Sequence, residues 1–437
     1  MMIPKPTVGD TSWFTQDRFG LFIHWGLYAL PARHEWVKHI EQIPDAVYDT
    51  YFRHFDPDLY DPDLWAEAAS KAGMKYFVVT TKHHEGFCLW DSALTDYKAT
   101  RTPAGRDLIG PMVDAFRANG MRVGFYHSLI DWHHPDFTID DLHSLRQHPD
   151  RQTLNQGRDQ RRYIEYLHGQ VRELLTTYGR IDVLFYDFSY PPGSHGRPAD
   201  YRGKGHDDWG SEALLQLTRQ LQPGIIVNDR LDLDQVEGGW DIRTPEQFLP
   251  RQWVMFNGQP VVWETCQTFS GSWGYHRDEN TWKSVDQLLH MLIEVVSKGG
   301  NLLLNVGPTG RGEFDERALD RLAGMGRWMH HHSRSIYGCT AAPEGIAPPA
   351  DCRLTYNPTT RRLYVHVFAW PMGQLHLDGL AGRVEYAQLL NDASEVRISQ
   401  PPPHQADVDG PGGQTLTLSL PVRQPSVAVP VIELFLK

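Results

Sequence analysis

One junction recurs along the first three quarters of the chain: an amphipathic stretch, a glycine, then a short β-branched or aromatic run. It is found at Gly73 before residues 76–80, Gly120 before 123–126, Gly179 before 181–186, Gly224 before 225–227 and Gly299-Gly300 before 302–306. Glycine just past a helix accepts the left-handed turn that stops it, and a strand buried on both faces reads as an unbroken apolar run. The pattern predicts helix-to-strand loops in a parallel sheet. Asp61-Pro62 supplies an N-cap and a first-turn proline ahead of Leu64, Trp65, Ala68 and Ala69, while Val285, Leu288, Leu289, Leu292 and Val296 recur at helical spacing. An opening strand at 19–24, with further strands around 240–242 and 261–263, brings the count to about eight, the number a (β/α)8 barrel requires. An open doubly wound sheet fits the same pattern.

After Tyr337 the texture changes. Pro343, Pro348 and Pro349 form a linker, and period-two alternation takes over in 362–368, 374–377, 415–420 and 427–436, with a turn-rich stretch at 401–414. Alternation broken by turns predicts an antiparallel β-sandwich. The expected organisation is an α/β, (β/α)8-like domain over residues 1–338 and a sandwich over 339–437.

Composition narrows the chemistry. The 437 residues carry a formal net charge of −12, which argues against a phosphate backbone as partner. No run of about 18 apolar residues predicts a membrane span, and no basic-flanked apolar leader is seen. Cys88, Cys266, Cys339 and Cys352 have no metal-ligand spacing and fit reduced, buried thiols, so the expected location is cytoplasmic. The 14 Trp, 18 Tyr and 22 His favour a polyhydroxylated ligand, although aromatic residues also fill cores.

In a barrel, chemistry gathers where strands run out at their carboxyl ends. Those ends read His24-Trp25-Gly26 followed by Glu35-Trp36, then Lys82-His83-His84-Glu85, Tyr126-His127, Asp187-Phe188 and Asn228-Asp229-Arg230, with Trp240, Glu246 and Glu264 beyond. Singly, a strand-end His is more often a satisfied hydrogen-bonding group, and a strand-end Asp a helix cap. Convergence is what argues for a site. His83-His84 and His133-His134 lack the HxH or HExxH spacing that puts two imidazoles on one face, so no metal is implied. GxSxG elbows and phosphate-cradling loops are absent from the sequence, and no cofactor is implied. Carboxylate chemistry on a neutral ligand remains. Glycoside hydrolysis needs two carboxyls, roughly 5–5.5 Å apart for retention or 6.5–9.5 Å for inversion. Asp187, directly after an apolar run, suits the nucleophile; Glu246, Glu264, Glu85 and Glu35 all qualify by position as the acid.

The segments Phe19-Gly20-Leu21-Phe22-Ile23-His24-Trp25-Gly26, Glu35-Trp36, Lys82-His83-His84-Glu85-Gly86-Phe87, Asp187 after Phe185-Tyr186, Asn228-Asp229-Arg230, Trp273-Gly274-Tyr275 and the run from Val295 to Pro308 together resemble the α-L-fucosidases of glycoside hydrolase family 29, over about residues 13–337 and in the same order. The resemblance implies a (β/α)8-like domain followed by a β-sandwich, and removal of terminal α-L-fucose with retention through a covalent fucosyl-enzyme on Asp187. It implies sugar contacts from His24, Glu35, Trp36, His83, His84, Tyr126 and Arg230. An aromatic wall for the C5 methyl would come from Trp36 with Phe188 or Trp240. Glu246 matches the stretch that carries the acid/base in several members, with Glu264 second. The implied partner is a fucosylated oligosaccharide or glycoconjugate, and the exposed-looking Trp370-Pro371-Met372 leaves a homo-oligomer open. Two other readings fit the residues: an exo-glycosidase acting on an α-galactoside, and a carbohydrate-binding protein without turnover.

Overall fold

The computed structural model describes residues 2–399 and 414–437. Its larger part is built on a curled parallel sheet of seven strands: β1 (Phe19–Ile23), β2 (Tyr76–Lys82), β3 (Arg122–Ser128), β4 (Val183–Asp187), β5 (Ile226–Val227), β8 (Glu264–Thr268) and β9 (Asn301–Val306). Their order is β5-β4-β3-β2-β1-β9-β8, every neighbour parallel. Between β5 and β8 lies a segment that is paired without being a regular strand. Asn228 bridges Ile242 and Arg243 bridges Trp263, both in parallel. Cys266 N–H then donates to Pro245 O (3.2 Å), and Gln247 N–H to Cys266 O (3.1 Å). Proline has no N–H to give, so the ladder skips a bond at Pro245 and the eighth staff of the barrel is a stub. The strand expected near 261–263 begins instead at Glu264, after a short hairpin of β6 (Met255–Phe256) and β7 (Gln259–Pro260).

The predicted punctuation has a physical counterpart at most junctions. Gly73, Gly120, Gly179 and Gly299 have φ of 90°, 71°, 72° and 74°, the left-handed conformation expected where a helix stops. Gly224 is outside that region: the preceding helix, Ser211–Leu221, ends at Gln222, with φ −137°. Asp61 caps Pro62–Lys71 by accepting from Asp63 and Leu64 N–H, and Ser284 forms a capping box with Gln287 at the start of Val285–Val296. Leu64 is 60 % exposed, because only the Trp65 and Ala69 side of its helix meets the sheet.

Strand alternation separates two cores. Phe22, Tyr76, Val78, Tyr126, Val183, Phe185, Ile226 and Leu303 point inward and fill the barrel, while the residues between them join the large cluster under the surrounding helices.

Residues beyond the barrel form two antiparallel sheets, in the order β10 (Thr340–Ala341), β11 (Cys352–Asn357), β12 (Arg362–Val367), β17 (Val431–Leu436), β14 (Val384–Leu389), and β13 (Gln374–Asp378), β16 (Thr415–Ser419), β15 (Arg397–Ser399). Their inner faces share a core that includes Leu363, Leu377, Leu418 and Ile432. Of the turn-rich stretch read at 401–414, residues 401–413 lie outside the described residues. Tyr364, Leu390, Val429 and Val431 belong to the barrel-side cluster, and Trp328 Nε1–H donates to Val429 O at 2.8 Å.

Candidate active site

Parallel register brings the carboxyl ends of the strands to one mouth. Phe22 lies beside Asn305, and Ser128 beside Asp187. On each strand the residue two beyond an inward core position also points inward, which places His24 above Phe22, Ser128 above Tyr126, Asp187 above Phe185 and Asn305 above Leu303. β2 departs from this rule. Its register against β3 shifts between Thr80 and Lys82, and Lys82 turns outward to Asp131 (3.4 Å) and the Tyr163 and Tyr166 rings. The chain leaves regular pairing just after it, so His83 and His84 both enter the cup, with ring centroids 4.0 Å apart. Gly86 completes this turn at φ 88°; a Cβ there would stand 2.1 Å from Asp131 Oδ1.

Asp187 sits at the floor, 7 % exposed. Its Oδ1 accepts from Arg230 (2.7 Å) and its Oδ2 from the Tyr126 hydroxyl (2.7 Å). The other arm of Arg230 reaches Glu246 Oε2 at 2.8 Å, so one guanidinium spans both carboxylates. Burial opposes the Arg230 charge, but Asp187 and Glu246 outweigh it and hold its pKa above the ordinary value. Burial, aided by Asp187, raises the Tyr126 phenol.

The sequence Asn228-Asp229-Arg230 divides the work of placing these groups. Asn228 extends β5 by bonding Tyr186 N–H and O (2.9 Å each). Asp229 grips the stub through Thr244 N–H (3.2 Å), Thr244 Oγ1 (2.6 Å) and Arg243 (3.1 Å), and so fixes the segment that carries Glu246.

The walls are aromatic and imidazole. His24 lies 5.1 Å from Trp273 and His84 4.9 Å from Trp36, centroid to centroid, and Phe188 packs on both His84 (5.2 Å) and Trp36 (5.4 Å). Glu35 Oε2 accepts from the backbone N–H groups of Trp273 (3.1 Å) and Gly274 (2.9 Å), tying its loop to the far rim. Burial drives the His24 and His84 pKa values well below the ordinary one, so His84 Nε2, 3.8 Å from Asp187 Oδ2, is neutral. Three non-glycine residues with positive φ flank site residues: His34 (101°) before Glu35, Phe188 (86°) after Asp187 and Gln247 (58°) after Glu246. Such conformations cost about 1–3 kcal/mol each and persist where surrounding contacts over-determine them.

A cavity of about 460 Å³ opens beyond Arg230 and Glu246, between Phe188, Arg197, Asp232 and the exposed Phe248. Among the described residues no group of three or more His, Cys, Asp or Glu is placed to hold a metal ion.

The structure brings together His24, Glu35, Trp36, His83, His84, Tyr126, Asp187, Arg230 and Glu246, and leaves three of the sequence candidates, Trp240, Glu264 and Glu85, elsewhere. Trp240 precedes the stub at its amino end, packed on Phe256 and Arg243 in a separate cleft with Val8 and Asp241. Glu246, at the carboxyl end of the same segment, reaches the mouth. Trp273, rather than Trp240, stands against His24. Glu264 opens β8 and therefore lies at the barrel's base, fully buried and bonded by the Tyr76 hydroxyl; burial pushes its pKa up to about 8. Glu85 lies behind His83, its Oε2 3.5 Å from Nδ1, among the buried Tyr28 and Tyr48. Sequence reasoning missed Ser128 and Asn305, which hydrogen-bond the Nδ1 atoms of His84 and His24. Their signal was a polar residue at an inward position of an otherwise apolar strand.

The sequence profile of the family described as alpha-L-fucosidase matches residues 8–334. Plasma alpha-L-fucosidase of Homo sapiens is 30 % identical over 421 residues, 89 % of this chain and 81 % of that protein. The alpha-L-fucosidase isoenzyme 1 of Paenibacillus thiaminolyticus is similar with a TM-score of 0.89 at 45 % identity over 98 % of each chain. A Bacteroides thetaiotaomicron alpha-L-fucosidase, trapped as a covalent intermediate with 2-fluoro-fucosyl fluoride, is similar with a TM-score of 0.81 at 26 % identity, covering 100 % of this chain and 98 % of that one.

Proposed function

The chain belongs to the alpha-L-fucosidase family, glycoside hydrolase family 29, and from that premise we propose that its cup removes terminal α-L-fucosyl residues by double displacement, with Asp187 as nucleophile and Glu246 as acid/base. The observation that carries this reading is the Arg230 guanidinium bonded to both carboxylates at the barrel mouth. In the first step a carboxylate oxygen of Asp187 attacks C1 while Glu246 gives a proton to the departing glycosidic oxygen. In the second, Glu246 takes a proton from water, which attacks C1 and releases Asp187. Tyr126 and Arg230 orient the nucleophile from two sides, so little motion is needed to reach the anomeric carbon.

His24, His83, His84 and Glu35 bind ring hydroxyls, and Trp36, Phe188 and Trp273 form the apolar wall for the C5 methyl. That wall disfavours a galactoside of the same hand, whose C6 hydroxyl would be buried against it without a partner, and an α-D-galactoside, of the opposite hand, cannot match the ring hydroxyls and the wall together. The presence of both carboxylates disfavours a binding protein without turnover. The 460 Å³ cavity beyond Glu246 receives the leaving sugar.

The buried free thiols support a reducing, cytoplasmic location, and the −12 charge, together with the lack of any described helix long and apolar enough to cross a membrane, supports a glycan as the partner. Met372 and Val422, 96 % and 88 % exposed, give the C-terminal sheets an apolar tip that supports self-association, measurable by light scattering.

The deciding experiment follows an aryl α-L-fucoside by proton NMR beside the aryl α-D-galactoside. Expected are faster turnover of the fucoside and α-L-fucose as the first product. A dominant galactosidase rate sinks the substrate assignment, and β-L-fucose as first product sinks double displacement.

A further inference from the structure

We propose that Asn305 and Ser128 are positioning residues that hold His24 and His84 with the proton on Nδ1, so that each ring offers a bare Nε2 lone pair to the sugar and the cup selects hydroxyl groups able to donate. The inference rests on the fucosidase reading for the identity of the sugar, but the proton positions follow from hydrogen-bond bookkeeping alone.

Asn305 Nδ2 donates to the backbone carbonyl of Trp273 at 2.6 Å, and its Oδ1 lies 2.7 Å from His24 Nδ1. Turning the amide over would set two oxygens 2.6 Å apart, so the orientation is fixed and His24 Nδ1 faces an acceptor. It must carry the proton. Ser128 has a single hydroxyl hydrogen, which goes to Ile130 O at 2.8 Å, while Oγ accepts from Ile130 N–H at 3.0 Å. His84 Nδ1 stands 2.7 Å from the same Oγ. Giving the serine hydrogen to the imidazole instead would strip the buried Ile130 carbonyl of a bond, and no other described group bonds it. His84 Nδ1 is therefore the donor as well.

Both rings are neutral, because burial disfavours a second proton. Each Nε2 is then an acceptor, and no described protein group bonds either one. His84 Nε2 faces Asp187 Oδ2 across 3.8 Å, two acceptors that a hydroxyl donor of the substrate can satisfy. The Tyr126 hydrogen is already committed to Asp187, which leaves the cup richer in acceptors than in donors. A sugar whose hydroxyls are methylated, acylated or replaced by fluorine meets unpaired lone pairs in a buried site.

The direct test is nitrogen-15 NMR of histidine-labelled wild-type protein, with the two rings identified by the signals lost in His24→Gln and His84→Gln. Expected for both is a protonated Nδ1 and an unprotonated Nε2; a protonated Nε2 on either ring overturns the assignment for that ring. A second measurement uses α-L-fucosides with one ring hydroxyl at a time replaced by fluorine, compared between wild type and variants so that the electronic effect of fluorine cancels. At one position the fluorine penalty in kcat/KM should shrink about tenfold in Ser128→Ala, where the ring is free to move its proton, and return in Ser128→Thr. An undiminished penalty at every position in Ser128→Ala overturns the positioning role of Ser128. Failure of wild type to turn over any α-L-fucoside would sink the fucosidase reading and leave the NMR result standing.

Discussion

Asp187 takes its two hydrogen bonds from different strands, Tyr126 on β3 and Arg230 just past β5, so its orientation depends on barrel closure more than on its own rotamer. Replacing it with glycine removes the attacking oxygen and its bonds from Tyr126 and Arg230 but keeps the backbone pairing of β4 with β3. Asp187→Gly should lower turnover by about 10⁴-fold or more, with partial return in azide and an unchanged circular dichroism spectrum. Near-normal turnover would contradict the nucleophile assignment. Glu264 gives the opposite expectation. Burial raises its pKa from an ordinary 4.5 to about 8, so between those values the folded protein holds a proton that the unfolded chain has released. Stability is then greatest at the acid end of this window and falls as pH rises through it. Glu264→Gln should flatten the difference between urea midpoints at pH 5 and pH 8 while keeping turnover; equal slopes in the two proteins would show that Glu264 does not titrate there.

At the scale of elements, the stub between β5 and β8 is weak as a strand and important as a carrier. It has lost a ladder bond at Pro245, and its position depends on Asp229 accepting from Thr244 and Arg243. Asp229→Ala leaves Thr244 without its acceptor and Arg243 with Asp234 alone, at a cost of about 1–3 kcal/mol, and loosens the segment that ends in Glu246. Acid assistance matters most when the leaving group is poor. The variant should therefore lose about tenfold or more in kcat on a fucosyl disaccharide and much less on fucosyl fluoride, which departs without a proton. Equal losses on both substrates would mean that Asp229 supports the whole cup and not the acid arm.

For the whole molecule, the barrel and the C-terminal sheets share buried surface. Val429 and Val431 complete the cluster beneath Trp328, and Arg353 on β11 pairs with Glu294 on the helix Val285–Val296. Apolar surface of this kind cannot be uncovered on one side without weakening the other. Calorimetry should give one unfolding transition, shifted to lower temperature by Trp328→Ala through its lost packing, by an amount matching about 3–5 kcal/mol. Two well-separated transitions, with only one of them moved, would show that the parts unfold independently.

The sequence by itself determined the parallel alternation, because unbroken apolar runs after stop signals have few other uses, and it marked the strand ends on which His24, His83, Asp187 and Arg230 stand. It also made the family resemblance legible, since those motifs are local strings. Only tertiary structure decided which carboxylate faces the mouth. Glu246 and Glu264 look alike along the chain, but one ends a staff of the barrel, partly exposed and paired with Arg230, while the other begins a strand two residues below it and is fully buried against Tyr76. The same cause removed Trp240 from the cup and put Trp273 against His24. A register shift after Thr80 turned two adjacent histidines inward where strict alternation would have admitted only one. Proton positions on His24 and His84 likewise depend on Asn305 and Ser128, which are remote in sequence and meet those rings only when the strands align. Local patterns fix which way a strand is buried; which residues share a layer is set by the register between strands, and that belongs to the closed sheet.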